Sequence, residues 1–70
     1  MNVVYEDCII FLDRVVSIGV RHQIMPDRLF YYYGKLTDVT IDAVKIQMTH
    51  GIKIIPMREI LEIKLHQGVQ

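Results

Sequence analysis

Residues 29–65 read as one curled antiparallel sheet, because runs within them alternate apolar and polar side chains, and this period of two constrains the fold more than anything else in the chain. The runs are Val44-Lys45-Ile46-Gln47-Met48, Ile52-Lys53-Ile54 and Leu61-Glu62-Ile63-Lys64-Leu65. In an extended chain successive side chains point to opposite faces, so each run predicts a strand with one buried and one wet face. Gly34 lies inside the preceding run. A strand bends sharply at least cost where there is no Cβ, so Gly34 predicts a bend. The expectation is a mostly β fold, an N-terminal helix followed by a strongly bent five-stranded antiparallel sheet that forms a small barrel.

Local signals set the boundaries. Asn2 suits an N-cap, and Glu6 and Asp7 lie where carboxylates favour a helix dipole. Val4, Cys8, Phe11 and Leu12 recur at helical spacing, which predicts an amphipathic helix over 3–13. Val16, Ile18 and Val20 alternate with Ser17, Gly19 and Arg21, giving a first strand over 14–22. The β-branched density and Gly19 argue against continuing the helix through Val20. A loop containing Pro26 follows. The remaining strands are expected over 28–41, 43–49, 51–56 and 60–66, with Phe30, Tyr32 and Leu36 sharing one face. His50-Gly51 reads as a two-residue hairpin turn, and Pro56–Glu59 as a short turn, since proline cannot donate to a ladder. No internal repeat, low-complexity tract or linker interrupts the chain, so residues 1–70 are read as a single domain.

Composition adds an expectation about assembly. A domain of 70 residues buries only roughly 60% of the surface its unfolded chain exposes, and small cores of this kind are usually reinforced. Cys8 is the sole cysteine, so no intrachain disulfide can form. With 51% hydrophobic residues, some apolar surface is expected to be covered by further copies of the chain. Eight basic and eight acidic residues give zero formal charge, which argues against a dedicated nucleic-acid binder without excluding a local basic patch. The longest apolar run, Cys8–Leu12, is five residues, so neither a membrane span nor a signal peptide is expected. The lone cysteine suits a reducing compartment, and the cytoplasm is the expected location.

Gly34-Lys35-Leu36 followed by Val39, then Val44 and Ile46, matches a Gly-x-hydrophobic motif with alternating hydrophobics after it. The stretch Ile54-Ile55-Pro56-Met57-Arg58-Glu59-Ile60-Leu61-Glu62-Ile63 matches a strand, brief turn, strand layout. With one helix ahead of five strands, the chain resembles the Sm-like family, which includes the Sm and LSm proteins and bacterial Hfq. Other small bent barrels, such as SH3-like modules, share part of this pattern. The resemblance covers about residues 3–65 and implies assembly: strand four of one subunit pairs with strand five of the next into a ring. It does not carry over a uridine pocket. Thr40 stands where Sm proteins usually have Asp, Val44 where many have Asn, and Pro56-Met57-Arg58 replaces both the Arg-Gly of Sm proteins and the Tyr-Lys-His of Hfq.

These considerations give a set of candidate residues. Arg58 and Met57, with Thr40 and Asp42, lie where the resemblance implies RNA contact at a pore, so single-stranded RNA is an expected partner. Ile52 and Ile54, with Leu61 and Ile63, are the expected edge positions of a homo-oligomeric ring. Tyr31-Tyr32-Tyr33 can stack bases. The more ordinary expectation puts Tyr32 in the core and Tyr31 and Tyr33 at an interface or under the helix. Arg14, Arg21, His22, Arg28 and Lys35 can form a basic rim, although Asp7, Asp13, Asp27 and Asp38 balance them. His22, His50 and His66 are too scattered for ligand spacing, so no metal or other cofactor is expected. Asp38 and Asp42 flank a turn with no nucleophile–base pair or phosphate loop beside them, so neither catalysis nor a small-molecule substrate is expected.

Overall fold

The computed structural model describes residues 3–66. It is mostly β, one short helix and one antiparallel sheet of five strands. In chain order these are α1 (Tyr5–Ile9), β1 (Val15–Arg21), β2 (Leu29–Val39), β3 (Ala43–Met48), β4 (Gly51–Pro56), a 3-10 turn (Met57–Glu59) and β5 (Ile60–Leu65). The strands lie in the order β4-β3-β2-β1-β5. β4 and β5 are its two edges and do not pair with each other, so the sheet is not closed.

The helix is shorter than the sequence predicts. After Ile9 the backbone bonds run three residues back rather than four: Phe11 N–H to the Cys8 carbonyl, Leu12 to Ile9, Arg14 to Phe11. Such tight turns close a helix rather than extend it. Asp13 then adopts φ of 68°, a left-handed conformation that a short polar residue tolerates, and its N–H donates to the Leu36 carbonyl at 2.7 Å. A sheet contact ends the helical segment. The N-cap is Val4, whose N–H donates to Asp7 Oδ2 at 3.0 Å; Asn2, the expected cap, lies outside the described residues. Cys8 is fully buried with Tyr5, Ile9 and Phe11 partly buried beside it, whereas Val4 and Leu12, expected on the apolar face, are exposed.

One face of the sheet builds a single core. Val16, Ile18 and Val20 of β1 meet Leu36 and Val39 of β2, Val44 and Ile46 of β3, Ile55 of β4, Ile60 of β5 and Met57. Fully burying such a side chain contributes about 1.5–3 kcal/mol, so this cluster is the main stabilising term. β2 runs through both halves of it. Its residues Leu29–Lys35 pair with β1 and Lys35–Val39 pair with β3. A register shift between Leu36 and Asp38 lets Val39, rather than Asp38, face the core.

The parity of β4 differs from the expectation that Ile52 and Ile54 are buried by alternation. Ile46 is paired with Lys53 and Val44 with Ile55, so the odd-numbered residues of β4 face the core side. Lys53 Nζ lies 5.2 Å from the centre of the Tyr32 ring, and Ile52 and Ile54 are 62% and 60% exposed on the other face. The β3–β4 turn is Thr49-His50 rather than His50-Gly51, with Gly51 at φ of 138° opening β4. The expected turn at Pro56–Glu59 takes the form of the 3-10 turn.

Gly34 is needed for a reason other than backbone freedom. A Cβ there would stand 2.5 Å from the Gln47 carbonyl oxygen and 3.3 Å from Met48 Cγ. β2 and β3 approach too closely at this point for any side chain. Gly34→Ala is expected to destabilise the fold by about 1–3 kcal/mol, the usual cost of overpacking. Urea unfolding checks this, and an unchanged midpoint would mean that the two strands separate freely.

Candidate functional site

The β2–β3 turn and the 3-10 turn come together at one end of the sheet. The Met57 N–H donates to the Asp42 carbonyl at 2.7 Å, which joins two segments fifteen residues apart in the chain. Thr40 Oγ1 accepts from the N–H groups of Asp42 and Ala43 at 3.3 and 3.1 Å and donates to the Ala43 carbonyl at 3.2 Å. That hydroxyl therefore builds the turn, as threonine commonly does. Thr40 and Asp42 are exposed at this end, but Met57, singled out with them, is buried in the core, and the exposed Arg58 lies with the β1–β2 loop rather than with the Thr40–Asp42 turn. Its sulfur accepts from the Cys8 thiol at 3.9 Å. Arg58 shares a shallow depression with Arg21, His22 and Glu59. His22 is itself part of a loop closure, its Nδ1 accepting from the N–H groups of Ile24 and Met25 at 3.1 and 3.0 Å.

The four expected edge residues fall into two unlike pairs. Ile52 and Ile54 stand exposed on β4. On β5, Leu61 lies at a register shift against β1 and is half-buried, and Ile63 packs partly against the core. One edge thus offers apolar side chains while the other has largely covered its own.

A third group lies on the sheet face away from the core. Residues 31, 33 and 35 of β2 share that face by the period of two, and 62 and 64 of β5 share it through their pairing with β1. Between the tyrosines and β5, β1 places Ser17, paired to Tyr33 and Lys64, and Gly19, paired to Tyr31 and Glu62, with Val15 opposite Lys35 at the strand's start. Long side chains from both neighbours therefore meet above the middle strand. Tyr31 Oη donates to Glu62 Oε1 at 3.2 Å, and Lys64 Nζ bonds Glu62 Oε2 at 3.2 Å and lies 5.9 Å from the Tyr31 ring centre. The Tyr31 and Tyr33 rings are 6.3 Å apart at 25°, and Tyr33 and His66 are 4.9 Å apart. Tyr33 is about half exposed, so the expectation that it lies under the helix does not describe it.

Reduced hydration above the sheet raises the Tyr31 hydroxyl from its ordinary value, with the charge and hydrogen bond of Glu62 adding to it. The hydrogen bond to Glu62, then its charge, raises Lys64. Sequence reasoning found the tyrosines but missed Lys64 and His66 as their companions. The one available signal was the Ser17 and Gly19 spacing in the first strand, which marks small positions on one face.

Among the described residues, no group of three or more His, Cys, Asp or Glu side chains is placed to hold a metal ion, and no helix is long and apolar enough to cross a membrane. No protein family, curated protein or solved structure matches the chain.

Burial, then the neighbouring Asp7 charge, pushes the Cys8 thiol up from 9.0 to about 11. The protonated thiol is favoured in the folded state, so its contribution is full below pH 9 and is lost as pH rises towards 11. At about 1.4 kcal/mol per unit, wild type is expected to lose on the order of 2–3 kcal/mol more than Cys8→Ala over that interval. Denaturant unfolding of both proteins at several pH values checks this; parallel profiles would mean that the thiol ionises equally in both states.

Proposed function

We propose that this chain is a non-enzymatic, Sm-like subunit that joins copies of itself through the free edges of its sheet. β4 of one copy pairs with β5 of the next, and a cytoplasmic ring closes what the single chain leaves open. The observation supporting this is the pair Ile52 and Ile54, more than half exposed on an edge strand. An apolar edge without a partner is a liability that folded proteins generally avoid. In such a ring the Thr40–Asp42 turn and Arg58 meet single-stranded RNA at the pore, Arg58 supplying charge to phosphate.

The burial of Met57 and the engagement of the Thr40 hydroxyl within its own turn favour a second reading. It is a protein-interaction module of the same fold without a nucleotide pocket.

Light scattering at low salt, with and without a pool of short RNAs, separates the two. A ring-sized particle that gains mass with RNA is expected on the first reading. Arg58→Ala should then reduce binding without changing the mass of the ring. Ile54→Lys, an exposed substitution costing within about 0.5 kcal/mol of fold stability, should give monomers on either reading. A monomeric wild-type protein would remove the ring altogether.

A further inference from the structure

The face above β1 has a composition that the ring reading does not use. Tyr31, Tyr33 and His66 form a row of rings with centres 6.3 and 4.9 Å apart on an open sheet face. Lys64 stands at one side of this row, its side chain 62% exposed, and Lys35 follows Tyr33 on the same face of β2. The nearest carboxylate, Glu62, is already engaged by the Tyr31 hydroxyl and by Lys64. Lys45, further along, is opposed by Asp38 in the β2–β3 pairing. The chain as a whole is electrically neutral, yet this part of its surface joins aromatic faces with exposed lysines.

The geometry points to this face as a stacking platform for single-stranded nucleic acid, with bases on Tyr33 and His66 and phosphates at Lys35 and Lys64. Bases present flat π-faces, and exposed aromatic side chains brought together on one sheet face, here Tyr33 of β2 and His66 after β5, can stack with them. Glu62 holds the hydroxyl end of Tyr31, which leaves that ring as a fixed wall beside Tyr33 rather than a competitor for its exposed face. Every base has a π-face, so recognition by stacking is tolerant of sequence. Lys64 is shared with Glu62, so Lys35 carries the charge in excess of that pair, and affinity is weak with a shallow salt dependence, a slope of about −0.7 per phosphate contacted. Protein partners fit less well, because the two most exposed isoleucines of this sheet face, Ile52 and Ile54, lie at the β4 edge, while beside the tyrosines Val15 is about half exposed. The platform belongs to a single subunit and does not depend on ring closure.

Fluorescence anisotropy with labelled eight-residue oligo-U and oligo-dT at low salt tests it, alongside thermal unfolding of each variant. Binding of either oligonucleotide is expected, and the tighter of the two identifies the natural class. Tyr33→Ala should weaken binding about 5- to 150-fold, the range reported by removing one stacking side chain. Tyr33→Phe should restore it, because the ring and not the hydroxyl carries the contact. Lys35→Gln with Lys64→Gln should flatten the salt dependence. Folded wild-type protein that binds neither oligonucleotide overturns the proposal. So does a folded Tyr33→Ala that binds as wild type while Arg58→Ala does not, which moves the contact to the turn end. A Tyr33→Ala variant with altered mass in the absence of oligonucleotide assigns the face to protein contact instead.

Discussion

The structure depends on β2 pairing along both flanks. Its first part is held by β1 and its last by β3, with Lys35 opposite Val15 on one side and Gln47 on the other. Because side chains alternate, a slip of one residue at this crossing would send Tyr31 and Tyr33 into the core and expel Leu36. Two features hold the register. The contact of Gly34 with the Gln47 carbonyl leaves no room for a side chain to slide past, and the shift between Leu36 and Asp38 resets the alternation before the turn. Core, turn end and outer face all inherit their positions from this one strand.

The parts of the fold that could be read from sequence are those decided by neighbours along the chain. β3 and β5 follow from alternation, and the all-antiparallel layout from short connections between strands. What could not be read was decided by contacts across the sheet. α1 stops at Ile9 because Asp13, four residues later, donates to Leu36. β4 presents Ile55 to the core because of its register with Val44, which no property of the run Ile52-Lys53-Ile54 reveals. Gly34 was conspicuous, but the clearance it leaves for the Gln47 carbonyl requires knowing what lies above it. The candidate sites divide in the same way. Thr40 at a turn is a local signal. The meeting of Asp42 with Met57, and of Tyr33 with His66, is a product of topology.

The two sheet edges differ in how they meet solvent, and this bears on how copies of the chain would join. β4 carries isoleucines on its outer face and Lys53 on its inner face, held over Tyr32. β5 carries Glu62 and Lys64 on its outer face and Ile63 against the core. A junction that paired β4 with β4 would set exposed isoleucines beside one another and leave both β5 edges open. Pairing β4 with β5 uses every edge, and repeated around an axis it leaves none. In the proposed assembly, this difference between the edges is what sets a head-to-tail arrangement apart from a symmetric dimer.

The outer face shows how a neutral chain can still present local charge. β1 is buried on both sides although it carries Ser17 and Gly19 on the face away from the core. Small residues cannot shield a central strand by themselves, so its neighbours must reach across it. A Cβ on Gly19 would already stand 3.0 Å from the Tyr31 ring and 3.5 Å from Glu62 Cβ, which measures how low these side chains lie. Covering the strand in this way fixes Tyr31, Glu62 and Lys64 as one connected group and lowers the entropy that any ligand would otherwise have to remove. The carboxylate needed to hold Tyr31 is neutralised by Lys64 on the spot, so it does not repel an approaching phosphate as an unpaired carboxylate would. Pre-organisation and charge compensation therefore arise from the same requirement, to roof the middle of a strand that has serine and glycine there.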